Sequence, residues 1–217
     1  MKIALLCDTH CGIRNSSEVF LDNAEDFYTN IFFPECEKRG VKQILHLGDY
    51  YDHRKFVNFK ALNQNRRVFL DQLRKHNMIM DIIPGNHDTY YKNTNELNAL
   101  KECLGHYMNE VHIIMEPTVM QYGSLSMALL PWICADNYEP SMNFIRDCKA
   151  DWLGAHLELA NFEIGRGILA PHGMDAKIFK KFEQVLSGHY HTASRRDNIW
   201  YLGNPMEFFW SDAHDPK

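Results

Sequence analysis

Residues 78–88 read Met-Ile-Met-Asp-Ile-Ile-Pro-Gly-Asn-His-Asp, which is an apolar, β-rich run followed by a turn that carries polar side chains. The same arrangement occurs twice earlier in the chain, where residues 2–7 precede Asp8-Thr9-His10 and residues 43–47 precede Gly48-Asp49. Because the carboxyl ends of neighbouring parallel strands share one edge of a sheet, we expect these turns to converge.

Helical periodicity fills the intervals between these strands, from residue 19 to about 38 and from Phe59 to about His76. This alternation of strand and helix predicts parallel strands with helices packed on the sheet. The second half has shorter β-like runs at 111–114, 118–122, 125–130, 184–187, 193–196 and 199–202, and Asp197-Asn198 reads as a two-residue hairpin turn. We therefore predict an α/β sandwich of two mixed sheets flanked by helices, with the second sheet the more antiparallel.

Length and composition indicate one domain with a substantial core, since the chain has 217 residues of which 45% are hydrophobic. The net charge of −5 argues against a protein that binds nucleic acid through bulk charge, although bound cations would offset local carboxylates. We find no run of membrane-spanning length and no signal peptide. Six cysteines without a C-x-x-C pair favour reduced thiols and a cytoplasmic location.

Seven side chains of the metal-binding kind occupy five short turns that are spread over the chain. They are Asp8, His10, Asp49, Asn86, His156, His189 and His191. Aspartate, asparagine and histidine without cysteine are typical ligands of manganese, iron, zinc or magnesium. Seven ligands are too many for one tetrahedral ion, but they suit two ions that share a carboxylate, which is an arrangement for attack on phosphorus.

In order, the five turns read D-T-H, G-D, G-N-H-D, G-A-H and G-H-Y-H, and this set resembles the calcineurin-like metallophosphoesterase superfamily from Met1 to about Pro205. Within it, the chain is most similar to the SbcD or Mre-type nucleases of double-strand-break repair. The features that carry this similarity are G-D-Y-Y-D at 48–52, Asp88 and Y-L-G-N-P at 201–205. Residues 130–134 and 186–194 are similar to phage members of that branch, the recombination endonuclease subunits of T-even-like phages.

The resemblance implies a role for each residue of the site. One metal would take Asp8, His10 and His191, the other would take Asn86, His156 and His189, and Asp49 would bridge the two. His87 would be the general acid, with Asp88 a candidate to fix its tautomer. Asp52 would be a partner of His87, and the adjacent His53 is the alternative. The cofactor would be two divalent ions, with Mn²⁺ first and Mg²⁺, Fe²⁺ or Zn²⁺ also fitting.

The resemblance also implies a function, namely 3′-to-5′ exonuclease and single-strand endonuclease activity on DNA in break repair and recombination. The partners would be single-stranded DNA, duplex ends, an SbcC-type ATPase and a second copy of the chain, which would meet through 59–76 and 95–104. A metallophosphatase or cyclic-nucleotide phosphodiesterase is the alternative, because the same metals serve both reactions. A non-catalytic scaffold on this fold is disfavoured, because all seven ligands are present.

We expect residues 1–217 to form one catalytic domain. The chain stops at Asp215-Pro216-Lys217, directly after a motif-like segment, which suggests a cut. The cap domain and the ATPase-docking segment that the resemblance implies are therefore expected to lie outside this sequence.

Aromatic and basic side chains near the turns are further candidates for substrate contacts. Tyr50, Tyr51, Tyr90 and Tyr91 could stack on unpaired bases, although we expect at least half of them to pack in the interior. We expect Phe208-Phe209-Trp210 to pack as well. Arg54-Lys55 stands out among the basic pairs because it lies just beyond a metal turn. The remaining histidines considered as surface or core residues are His46, His76, His106, His112, His172 and His214.

Overall fold

The computed structural model describes residues 1–165 and 167–213, so the predicted surface position of His214 lies outside the described residues. The first sheet contains β1 (Ile3–Leu6), β2 (Gln43–His46), β3 (Ile79–Ile82) and β4 (Val111–Ile113), in that order. All three of its pairings are parallel. The predicted α/β class is confirmed, and this sheet is parallel rather than mixed.

Two long helices connect the strands of the first sheet. Helix α1 runs without a break through the segments Glu18–Asp26, Phe27–Phe32 and Phe33–Arg39, of which the middle one has π-helical hydrogen bonding. Helix α2 is built likewise from Phe59–Asn65, Arg66–Leu70 and Asp71–Lys75. Gly40 ends α1 in the left-handed conformation, as its position after the periodic run predicts.

Shorter elements complete the first layer. A single turn, Ile13–Ser16, precedes α1, and helix α3 (Ala99–Leu104) continues into a 3₁₀ turn at Gly105–Tyr107. The side chain of Asn98 caps α3 by accepting a hydrogen bond from the backbone N–H of Lys101.

The second sheet has six strands, namely β5 (Thr118–Tyr122), β6 (Leu125–Leu130), β7 (Trp152–His156), β10 (Gln184–Gly188), β11 (Ser194–Arg196) and β12 (Ile199–Tyr201). Their order across the sheet is β11-β12-β10-β7-β6-β5. A separate ribbon pairs β8 (Glu163–Gly165) with β9 (Ile168–Leu169). The 3₁₀ turns Ala176–Phe179 and Trp210–Asp212 lie before β10 and after β12.

The second sheet is the more antiparallel of the two, as predicted, although only its two outer pairings are antiparallel. The β11–β12 pair is the predicted hairpin, whereas β6, β7, β10 and β12 run parallel to one another. The reason is helix α4 (Tyr138–Asp147), which joins β6 to β7 as a crossover and returns the chain to the same end of the sheet. The sequence reasoning did not include this helix.

The two sheets pack face to face through aliphatic side chains, including Leu45 and Leu47 from the first sheet and Met127, Leu129 and Leu186 from the second. A Cβ atom on Gly154 would lie only 3.0 Å from a methyl group of Leu47, so the layers are in close contact at this point. As a result, the carboxyl ends of β1, β2 and β3 lie beside those of β7 and β10.

Helices α1 and α2 cover the first sheet with an aromatic cluster that contains Tyr28, Phe32, Phe33 and Phe69. Tyr50 and Tyr51 are completely buried in the same cluster, so they cannot stack on a substrate base. The expectation that at least two of the four tyrosines near the turns pack in the interior is therefore confirmed.

Candidate metal centre

The seven side chains predicted from the five turns meet at one edge of the sandwich. Nε2 of His10 lies 3.0 Å from Nε2 of His191. The Oδ1 atom of Asn86 lies 3.0 Å from Nε2 of His156 and 2.8 Å from Nδ1 of His189. Potential ligand atoms of Asp8, His10 and His191 all lie within 4.8 Å of one another, as do those of Asp49, His156 and His189.

Asp49 belongs to the second of these groups and also lies close to the first. Its Oδ2 atom is 3.8 Å from Nε2 of His10 and 3.4 Å from Nε2 of His156. Its other oxygen, Oδ1, accepts a hydrogen bond of 2.7 Å from the backbone N–H of His87. One carboxylate therefore faces both groups while its second oxygen is held by the backbone, which is the geometry a bridging ligand needs.

The chemistry of the donors fits divalent cations, because an oxygen atom faces the outward nitrogen of two of the imidazoles. Nδ1 of His156 lies 2.8 Å from the carbonyl oxygen of Leu47, so its N–H donates there and Nε2 keeps its lone pair facing inward. Nδ1 of His10 lies 3.3 Å from Oδ1 of Asp52, which leaves Nε2 of His10 for the same use.

Backbone strain is concentrated in the turns that carry these side chains. Asp8, His10, Asp49 and His189 have φ values of 50°, 43°, 53° and 94°, a region that residues other than glycine seldom adopt. Strain of this kind persists only where the surrounding structure holds it, and it is common at functional sites.

Glycines allow the turns to approach one another. A Cβ on Gly85 would lie 2.2 Å from Oδ1 of Asp49, and one on Gly188 would lie 2.9 Å from Oδ2 of Asp8. The glycine before each polar residue of the G-D, G-N-H-D and G-H-Y-H motifs is thus a steric requirement of the site.

The charges of the site shift its titrations strongly. Burial alone would lower the pKa of His156, but the Asp49 carboxylate outweighs it and raises the pKa to about 9. Burial, together with repulsion from His156, lowers the pKa of His189 to about 3. When no metal is bound, a protonated His156 therefore offsets the charge of the Asp49 carboxylate. Protons and cations then compete for Nε2 of His156.

Comparison with known proteins agrees with this geometry. Residues 1–193 match the family model of the calcineurin-like phosphoesterases. The chain belongs to the calcineurin-like phosphoesterase family. Members of this family use divalent metals to hydrolyse phosphate esters, so the predicted superfamily is confirmed and the chain is a phosphoester hydrolase.

One relative of this phosphoesterase is the exonuclease subunit 1 of enterobacteria phage T4, which is 30% identical over 217 residues. The chain spans 63% of the length of that relative. Two solved structures are also similar. A hypothetical protein from Thermus thermophilus has a TM-score of 0.46 and 13% identity, covering 94% of this chain and 75% of the other. The nuclease MPE of Pseudomonas putida has a TM-score of 0.40 and 16% identity, covering 91% and 66%.

His87 of the phosphoesterase lies at the mouth of the centre and is partly exposed. Its ring packs edge-on against that of His10, with the ring centroids 4.9 Å apart. Nδ1 of His87 lies 2.6 Å from the backbone carbonyl oxygen of Asp52, so that its N–H donates there and Nε2 takes no part in this hydrogen bond.

The expectation that Asp88 fixes the tautomer of His87 is wrong. The buried Asp88 carboxylate instead accepts hydrogen bonds of 2.9 Å from the backbone N–H groups of Tyr51 and Gly85. It therefore ties the G-D turn to the G-N-H-D turn. Burial and the negative charge of Asp49 raise the pKa of Asp88 to about 7.

Asp52 holds Nδ1 of His87 through its backbone carbonyl oxygen, and a carboxylate oxygen of Asp52 also lies within 4.8 Å of a ring nitrogen of His87. Its carboxylate lies between two other imidazoles, with Oδ1 3.3 Å from Nδ1 of His10 and Oδ2 3.4 Å from Nε2 of His53. His53, the alternative to Asp52, stacks on Phe56 with ring centroids 4.4 Å apart. Asp52 is thus placed to orient His10.

Arg54 connects two of the turns. Its Nη1 atom donates to the carbonyl oxygens of Thr89 and Tyr91 and to the Thr89 hydroxyl, at 3.2–3.3 Å. Its guanidinium lies 5.3 Å from the ring centre of Trp132. Burial lowers the pKa of Arg54, but the carboxylates of Asp49 and Asp88 oppose this shift.

Sequence reasoning missed a buried pair behind the centre. The hydroxyl of Thr9 lies 3.0 Å from Nε2 of His46, and His46 is wholly buried. Burial, with repulsion from His156, lowers the pKa of His46 to about 3, so this ring is neutral. The small residue between the two ligands of the D-T-H turn is the only signal in the sequence.

Among the described residues, no helix is both long and apolar enough to cross a membrane.

Proposed function

We propose that this phosphoesterase is a DNA nuclease that hydrolyses phosphodiester bonds with the help of two divalent metal ions. The observation that carries the proposal is the convergence of seven ligand-type side chains into two groups around Asp49. The relative in phage T4 is an exonuclease subunit by name, which supports a nucleic acid as the substrate.

In this proposal each group of side chains holds one cation. Asp8, His10 and His191 would hold the first and Asn86, His156 and His189 the second, with Asp49 shared between them. When bound, the two ions supply Lewis acidity toward phosphate oxygens and lower the pKa of water. Mn²⁺ is our first choice, because oxygen and imidazole donors without thiolate suit it.

The chain itself supplies the proton for the leaving group. The carbonyl of Asp52 holds the N–H at Nδ1 of His87, so the proton that this ring gives to a leaving group is carried at Nε2. We assign His87 as the general acid that protonates the leaving 3′ oxygen. Asp88 and Asp52 act as positioning residues, since they hold the two turns and His10 respectively.

The substrates and partners follow from the relative and are proposals for the whole protein. We propose 3′-to-5′ exonuclease and single-strand endonuclease activity in recombination and break repair, in the cytoplasm. We further propose that residues 1–217 form the catalytic domain and that an SbcC-type ATPase is the partner, since the T4 relative is itself named a subunit.

A second copy of the chain is the other partner that we propose. The predicted contact regions, 59–76 and 95–104, line one apolar groove together with the loop that contains Phe56. The side chain of Phe59 is 85% exposed, that of Phe56 59% and that of Leu97 40%. Neighbouring exposed apolar side chains of this kind are typical of a protein–protein contact surface. Sedimentation of the protein should give a dimer, and a monomer at all concentrations would reject this proposal.

The direct test of the proposed function is a cleavage assay with Mn²⁺ on matched single-stranded and duplex DNA. We expect release of nucleoside 5′-monophosphates from the wild type and none from Asn86→Ala, because Asn86 contacts both imidazoles of its group. Rapid hydrolysis of phosphomonoesters or cyclic nucleotides without DNA cleavage would instead support a metallophosphatase or cyclic-nucleotide phosphodiesterase.

A further inference from the structure

The turn after the first metal motif is strained over three successive residues. Arg14, Asn15 and Ser16 have φ values of 54°, 56° and 59°, and none of them is a glycine. L-amino acids visit this left-handed region as single residues, because each Cβ then crowds the following carbonyl oxygen. A run of three therefore needs stabilising contacts elsewhere.

Those contacts are made by the side chain of Arg14. Its Nε–H donates to the carbonyl oxygen of Phe208 at 3.1 Å, and its guanidinium carbon lies 4.4 Å above the ring of Phe209. The Phe209 ring also stacks against His191, with the ring centroids 6.0 Å apart. The strained turn thus places the Arg14 guanidinium next to Phe209, and Phe209 in turn contacts His191 of the first group.

The Phe209 side of this stack is fixed independently. One oxygen of the buried Asp212 accepts hydrogen bonds from the backbone N–H groups of Phe208 and Phe209, at 2.9 and 3.1 Å. The same oxygen accepts a third, of 2.9 Å, from the Asn204 side chain. The ring that supports Arg14 therefore has a defined position, although we expected this segment only to pack.

The outer part of the Arg14 guanidinium remains available. Arg14 is exposed, and within residues 1–165 and 167–213 no carboxylate lies within ion-pair distance of it and its two terminal nitrogens have no acceptor. A planar fork of N–H donors held against an aromatic face matches the geometry of a phosphate group.

We propose that Arg14 binds a phosphate that flanks the scissile one in a single-stranded nucleic acid, with Phe209 positioning its guanidinium. The inference rests on the proposed nuclease function and adds a residue that distinguishes a polynucleotide from a small ester. A substrate with one phosphate places that group at the metal centre and offers nothing to Arg14. A polynucleotide reaches both.

The test compares two substrates in excess Mn²⁺, namely a single-stranded oligodeoxythymidylate and bis(4-nitrophenyl) phosphate, which has one phosphate. We expect Arg14→Ala to raise the KM for the oligonucleotide roughly ten-fold or more. Its kcat/KM for the small diester should stay within about two-fold of wild type. The salt dependence of kcat/KM for the oligonucleotide should also weaken, by about 0.7 in the logarithmic slope for one lost phosphate contact.

Three further variants separate binding from folding. Arg14→Lys should keep most of the salt slope, because it keeps the charge. Arg14→Gly should raise the KM as Arg14→Ala does, yet unfold at the wild-type temperature or above it, since glycine tolerates the left-handed conformation. Arg39→Ala removes an equal charge at an ion pair with Glu35 on α1, and it should leave the slope unchanged.

Two results would overturn the inference. One is a wild-type KM and salt slope in Arg14→Ala and Arg14→Gly. The other is an equal loss on both substrates, which would show a structural role. A wild type that hydrolyses bis(4-nitrophenyl) phosphate but not the oligonucleotide would overturn the proposed function itself, and the inference with it.

Discussion

At the scale of single residues, a substitution of His87 should slow catalysis without weakening metal binding. Its ring contacts the Asp52 carbonyl and the His10 ring, and one of its nitrogens lies within 4.8 Å of ligand-type atoms of His10 and Asp52, but the two proposed metal groups are complete without it. We predict that His87→Ala binds Mn²⁺ as wild type does but turns over DNA roughly 10²–10⁴ times more slowly. Titration calorimetry and single-turnover cleavage measure the two quantities.

His106→Ala is the matched control for this substitution, since His106 is exposed and lies in the turn after α3. It should change neither quantity. A His87→Ala enzyme that cleaves at the wild-type rate would remove the general acid from the mechanism, and one that loses Mn²⁺ would make His87 a ligand.

His46 predicts a dependence of stability on pH. Its pKa is about 3 in the folded chain against 6.5 when unfolded, so the unfolded state binds the extra proton between these values. The stability that the neutral ring allows is complete above about pH 6.5 and is lost as the pH falls toward 3. The loss should approach about 1.4 kcal/mol per pH unit.

Urea unfolding of metal-free protein across this range measures that loss, with His46→Gln as the comparison. The titration of His189 lowers the stability of both proteins, so it cancels in the comparison. The wild type should lose stability more steeply than His46→Gln, because only the wild type also has His46. Superimposable profiles for the two would show that His46 is not the group responsible.

The ligand residues of the site could be predicted from the sequence because each follows a strand and the strand ends meet. Asp52 could be predicted as a neighbour of His87, but not that its backbone carbonyl makes the hydrogen bond, because no residue type reveals a backbone contact; the role of Asp88 could not be predicted for the same reason, since it binds backbone N–H groups. The Thr9–His46 contact was likewise hidden, since a buried histidine next to a site looks like any other core residue in a sequence.

At the scale of elements, the turns of β2 and β3 must touch for the site to form. We predict that Gly85→Ala destabilises the chain by roughly 2 kcal/mol or more, because its Cβ would overlap Asp49 at 2.2 Å. It should also abolish Mn²⁺ binding. Gly105→Ala is the control, since nothing lies within 4 Å of the Cβ added there.

Chemical denaturation and metal titration of both glycine variants give the comparison. A Gly85→Ala protein of wild-type stability that still binds two ions would mean that the turns are further apart than described.

The parallel first sheet could be predicted from its strand–helix alternation. Helix α4 and its crossover were missed, because Pro140 in the first turn makes this short helix hard to recognise in the sequence.

At the scale of the whole molecule, the centre joins turns that are far apart in sequence, so the cations should stabilise the entire fold. A ligand that binds only the folded state at a thousand times its Kd contributes about 4 kcal/mol. We predict that Mn²⁺ raises the unfolding temperature of the wild type and raises that of Asn86→Ala much less. Scanning calorimetry with Mn²⁺ and with a chelator tests this, and equal shifts in both proteins would place the effect elsewhere.

We expect one edge of the sandwich to hold a pair of cations around Asp49. Anomalous diffraction at the manganese edge, from crystals grown in excess Mn²⁺, locates bound ions without assuming their ligands. We predict two peaks about 3.5–4 Å apart, one on each side of the Asp49 carboxylate. A single peak, or two peaks that do not share Asp49, would contradict it.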